Sequence, residues 1–82
     1  MNISDMINNI AKGIQGIPEK DIANILEYIE NNEWGIAYET LCSVIEQEKL
    51  IITREEYDII KKLGLLMKMD SYYWEDIKNN QA

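Results

Sequence analysis

The sequence predicts an all-α fold, a single small domain of four to five short helices packed as a compact bundle. Three observations carry that expectation. Apolar residues recur at three- and four-residue spacing through most of the chain, as in Met6, Ile7, Ile10 and Ile14, or Ile22, Ile25, Leu26 and Ile29, which is the period of one helix face. Strand-like character is confined to Lys49-Leu50-Ile51-Ile52, where a short strand or extended turn fits. At 82 residues and 46% hydrophobic content, the chain forms one domain over residues 1–82, burying about 60–65% of its unfolded surface. With five Tyr, two Trp and no Phe, the core is aliphatic, with aromatic rings at its edges.

The first helix is expected to begin at Ser4, a good N-cap, with Asp5 favoured by the dipole of the first turn. Gly13 and Gly16 weaken its apolar pattern, and Gly16-Ile17-Pro18 reads as a connection. Pro18 suits the first turn of a second helix, with Glu19 and Asp21 behind it and the Ile22/Ile25/Leu26/Ile29 stripe on one face. Asn31-Asn32 breaks that helix. A third should run from about Glu33 to Glu48, burying Trp34, Ala37, Leu41, Val44 and Ile45, with Tyr38 and Cys42 flanking them. Gly35 is expected to allow close packing against the second helix.

Thr53 is followed three residues later by Glu56, the pattern of a capping box. Ile52 and Tyr57 stand at the positions of a hydrophobic staple around it. The fourth helix continues through Ile60, Leu63, Leu66 and Met67. Asp70-Ser71 offers a last cap, before Tyr72, Tyr73, Trp74 and Ile77 in a short final helix. The tail from Asn79 to Ala82 is expected to fray.

Charge is distributed unevenly along this framework. The net charge is −7, from fifteen acids and eight bases. Between Asp21 and Glu48 stand Asp21, Glu27, Glu30, Glu33, Glu39, Glu46 and Glu48, with no Lys, Arg or His. All eight bases lie outside that window, balanced by the other eight acids. A one-signed segment repels itself, so it is either a solvated face or a surface for a basic partner. Ordinary surface helices place Glu and Lys four residues apart. Asp58 and Lys62 do so in the fourth helix, and the second and third helices do not. That difference favours a dedicated surface. Glu39, Ser43 and Glu46 fall at i, i+4 and i+7 and line one outward row.

The same composition excludes much chemistry. There is no histidine and one cysteine, Cys42, which argues against His-based acid–base catalysis and against His or thiolate metal sites. The four glycines, at 13, 16, 35 and 64, match neither a dinucleotide-binding nor a phosphate-loop spacing. No metal or cofactor is expected, and no enzymatic activity. Net negative charge opposes direct nucleic-acid binding, since the best basic group, Lys61, Lys62 and Lys68, is offset by Glu55, Glu56 and Asp58. The longest apolar-rich run, residues 63–67, falls far short of the ~20 residues of a membrane span. The N-terminal ten residues lack a basic region followed by an apolar one, arguing against a secretory signal. Cytoplasmic residence is the expectation, with no membrane partner.

Cys42, at helical spacing from Tyr38 and Ile45, reads as a small core residue. Three adjacent aromatics, Tyr72, Tyr73 and Trp74, cannot all face inward, because neighbours on a helix point about 100° apart; Trp74 and one Tyr are expected to pack and the other Tyr to be exposed, as an ordinary surface residue or as an interface contact.

From Asn32 to about Met69 the chain resembles the MafI family of immunity proteins of contact-dependent inhibition and polymorphic toxin systems. The resemblance rests on Glu33-Trp34-Gly35-Ile36-Ala37, on Leu41-Cys42, and on the Ile52-Thr53, Tyr57 and Leu63 pattern downstream. Ile17-Pro18-Glu19 and the following isoleucine stripe fit the same layout. What the resemblance implies is a cognate toxin C-terminal domain, commonly a nuclease with a basic groove, neutralised by tight binding. Charge and helical phase nominate Glu27, Glu30, Glu33, Glu39 and Glu46 as the electrostatic contacts and Tyr38 as an aromatic anchor. The rival reading is an acidic carrier or adaptor module. Asp70-Ser71-Tyr72 departs from the Asp-Ser-Leu of acyl carrier proteins and lies close to the C-terminus, which favours a structural role for Ser71.

Overall fold

The computed structural model describes residues 2–82. Five α-helices follow one another: α1 (Ile3–Gly13), α2 (Glu19–Glu30), α3 (Trp34–Gln47), α4 (Arg54–Leu66) and the single turn α5 (Tyr72–Glu75), before a 3₁₀ turn at Lys78–Asn80. The expected all-α bundle is observed. Helices α2 and α3 form the most extensive pair, α1 lies across α2, α3 and α4, and α5 closes the far side of α3 and α4. The Cα radius of gyration is 11.2 Å, close to the ~12 Å of a well-packed domain this long.

The core contains Ile7, Ile25, Leu41, Ile45, Ile52, Ile60, Leu63 and Ile77 in full burial, with Tyr38 among them. Trp74 seals one end, and its approach depends on Gly64. A Cβ at Gly64 would lie 2.3 Å from Cζ3 of Trp74 and 2.6 Å from the Tyr38 hydroxyl oxygen. Only glycine leaves room for both. The Tyr38 hydroxyl donates to the carbonyl of Ile60 at 2.7 Å, one helical turn before Gly64. Two aromatic residues from different helices thus converge on a single missing side chain. Gly35 has no such role: a Cβ there would meet nothing within 4 Å, so the expected close approach to α2 is not what holds this pair together.

Helix ends follow local chemistry. The capping box at Thr53 forms as expected, with Thr53 Oγ1 accepting from Glu56 N and the Glu56 carboxylate accepting from Thr53 N. Ile52 and Tyr57, the staple pair, are both buried. The cap of α1 is Asn2 and not Ser4, because Asn2 Oδ1 accepts from the backbone of Ser4 and Asp5 and from the Ser4 hydroxyl. Ser71 does not cap α5 through its side chain. Its hydroxyl donates to Glu75 instead, at 3.2 Å.

Helices α2, α3 and α4 terminate alike. Asn32, Lys49 and Lys68 adopt left-handed backbone at φ 60°, 51° and 56°. The following amide of Glu33, Leu50 or Met69 reaches back to Tyr28, Ile45 or Gly64 respectively. This is the Schellman closure, which usually employs glycine at the left-handed residue.

The tail does not fray. Ile52 forms an isolated parallel bridge with Gln81, through Ile52 N to Asn80 O and Ala82 N to Ile52 O, both 2.9 Å. The Asn80 carboxamide donates to the carbonyls of Ile45 and Leu50, each at 3.1 Å. The C-terminal segment is therefore strapped across the α3–α4 connection, and the strand-like Leu50–Ile52 segment exists to receive it.

Candidate functional site

Helix α3 carries Glu39, Ser43 and Glu46 on one row, opposite Leu41 and Val44. The structure sets the C-terminal aromatics along that row. The Tyr73 hydroxyl donates to the Glu39 carboxylate, and its ring meets Tyr38 edge-on, with centroids 6.0 Å apart at 81°. Tyr72 leans against Tyr73 at 4.3 Å and 34° and remains 49% exposed. Trp74, the third aromatic, is buried, so the three residues divide between core, seam and surface as their spacing requires. A notch of about 60 Å³ lies in this seam, lined by Ser43 and Glu46 from α3 and by Tyr72, Tyr73 and Asp76 from the C-terminal segment.

The predicted contact residues border different recesses. Glu27, Glu30, Glu33 and Glu46 are exposed, and Glu39 is half-buried with an internal partner. Glu30 borders a crevice between α1 and α2 that also includes Asp5, Asn8, Lys12 and Ile29. Glu46 borders the α3–α5 notch, which shares no residue with that crevice. Tyr38 is a correction: it is completely buried, with its hydroxyl spent on α4, and has no surface to offer a partner. Its ring lies about 100° around α3 from Glu39, toward α4 and α5. The residues that sequence reasoning left out of the site are Tyr72, Tyr73 and Asp76. Their adjacency to α3 is set by tertiary packing between segments far apart in the chain, 34 residues for Tyr73 and Glu39, and the aromatic triplet was the one signal pointing to them.

Electrostatics at the seam follow burial and hydrogen bonding. Burial pushes the Cys42 thiol up to about 12, against a lowering by the Tyr38 hydroxyl and with Glu46 adding to the rise. The thiol is neutral at physiological pH and is a core group, as expected. The hydrogen bond to Glu39 holds the Tyr73 phenol above its usual range. Burial does the same for Tyr38 and Tyr57.

Elsewhere, an apolar groove of about 330 Å³ runs between α1 and α4, lined by Met6, Ile10 and Ile59 with Asn9 and Lys62 at its mouth. Among the described residues, no group of three or more His, Cys, Asp or Glu side chains stands where a metal ion would be held. No helix there is long and apolar enough to cross a membrane.

The chain matches no protein-family profile, curated protein or solved structure.

Proposed function

We propose that this protein is a binding module for a basic protein partner, acting as an immunity protein that neutralises a cognate toxin domain, and that its carboxylates stand in for the phosphates of a nuclease substrate. The observation that carries the basic-partner half of this reading is the run Asp21–Glu48, free of any base, whose Glu27, Glu30, Glu33, Glu46 and Glu48 all reach solvent. Burial of the apolar stripes of α2 and α3 does not consume these side chains. A concentrated negative field of this kind accelerates association with a positive surface and disfavours neutral or acidic partners. The toxin half rests on the family resemblance.

The test is rescue. The protein is co-expressed with the product of the adjacent open reading frame, and cell growth and co-purification are scored. Protection that falls when Glu27, Glu30 and Glu33 are all reversed to Lys supports the reading. Absence of protection contradicts the toxin half, and protection unchanged by the reversal contradicts the electrostatic half.

A further inference from the structure

We propose that the notch between α3 and α5 is an anchor site for the guanidinium of one arginine on the partner's surface. This rests on the basic-partner reading above and narrows it to one side chain and one place.

What distinguishes the notch is its aromatic wall. An exposed tyrosine is ordinarily free to change rotamer, and ordering it on binding costs conformational entropy. Tyr72 is backed instead by Tyr73 at 4.3 Å, which is fixed by its hydrogen bond to Glu39 and by its edge-on packing against the buried Tyr38. The outer ring is thus a preorganised platform, half-exposed, beside a recess with two carboxylates on its lining. Glu46 reaches it from α3 and Asp76 from the residue that ends α5.

The chemistry of the lining selects the occupant. A π face beside carboxylates attracts a cation, and no Lys or Arg lines the notch. Lys49, three residues beyond Glu46, borders the adjoining depression beneath the C-terminal strap, which Glu46 also lines. Cys42 also lines the recess; its buried thiol is uncharged, so the charge there belongs to the two carboxylates. Arginine fits better than lysine, because a planar guanidinium stacks on the ring while its fork donates to carboxylates, whereas an ammonium acts as a hydrated point charge. The recess of about 60 Å³ admits the end of one side chain, and is far below the ~300–1,000 Å³ of pockets that enclose small-molecule ligands. Tyr and Arg are also the residues that dominate interface energetics, usually in central pockets of this kind.

The experiment is a ¹H–¹⁵N NMR titration of the whole chain with N-acetyl-argininamide, alongside the lysine and glutamine analogues. The expected result is a saturable set of shifts at Ser43, Glu46, Tyr72, Tyr73 and Asp76. The arginine compound should bind more tightly than the lysine one, and the neutral glutamine compound should leave the notch unperturbed. Tyr72→Ala should weaken arginine binding roughly 2–5-fold, the scale of an exposed cation–π contact. Glu46→Gln and Asp76→Asn should each weaken it as well. These three side chains are exposed, and the spectrum of each variant reports directly whether it remains folded. Shifts that are non-saturating and spread along residues 21–48, or equal binding by wild type and Tyr72→Ala, would overturn the notch while leaving the broader basic-partner reading intact. Saturable binding at the notch, with protection unchanged by reversal of Glu27, Glu30 and Glu33, would do the opposite.

Discussion

At the scale of single residues, Gly64 and the left-handed lysines at helix ends act through backbone geometry and packing. Gly64→Ala drives a methyl group into Trp74 and the Tyr38 hydroxyl. Overpacking of this kind destabilises by about 1–3 kcal/mol or more, and urea unfolding monitored by Trp fluorescence is the check. Lys68 stands in left-handed backbone at φ 56°, a conformation that costs a non-glycine residue about 1–2 kcal/mol. Lys68→Gly should therefore raise stability, by about 0.5–1 kcal/mol after the added flexibility of the unfolded chain is subtracted. Neither residue was legible in the sequence. The partners of Gly64 arrive from α3 and α5, and a lysine gives no sign that it closes a helix. Tyr38 shows the same limit. Its phase on α3 was readable, but the acceptor that holds it inside, the Ile60 carbonyl, lies 22 residues away.

At the scale of elements, what is local was legible and what is long-range was not. The Thr53 capping box follows from adjacent residues and is present as expected, with both members of the Ile52/Tyr57 staple buried. The C-terminal strap depends on Asn80 reaching carbonyls 30 and 35 residues back, so the same polar tail that suggested fraying turns out to be pinned. Asn80→Ala removes both hydrogen bonds. At about 0.5–1.5 kcal/mol each, the expected loss is about 1–3 kcal/mol, together with faster amide exchange at Ile52 and Ala82. The seam joining α3 to α5 also sets an alkaline limit. The native state retains protons on Cys42, Tyr38, Tyr57 and Tyr73 that the unfolded chain releases, since ordinary thiols and phenols titrate at 9.0 and 10.0. Stability is thus fully present below about pH 9 and falls as pH rises toward the higher native values. Cys42 alone contributes a slope of up to about 1.4 kcal/mol per pH unit above pH 9. Denaturation at about pH 8 and about pH 10.5 should show that decline, and Cys42→Ala should flatten its first part.

At the scale of the whole molecule, a net charge of −7 is concentrated on the α2–α3 hairpin and extended by Glu75 and Asp76 at the end of α5. The acidic window was fully legible as sequence. Its division was not: Glu30 belongs to a crevice against α1, and Glu46 to the notch against α5. The helical phase of α3 placed Glu39 and Glu46 in one row, yet only tertiary packing brought Tyr72 and Asp76 beside them. Recognition of a basic protein by this charged hairpin, as proposed, has a kinetic signature, because electrostatic steering acts on the association rate. The most direct measurement is the association rate of the protein with the product of the adjacent open reading frame, by stopped flow from about 50 mM to about 500 mM salt. The rate should fall at least tenfold across that range, and should be reduced at low salt when Glu27, Glu30 and Glu33 are reversed to Lys. A rate independent of salt and unaffected by the reversal would contradict the account.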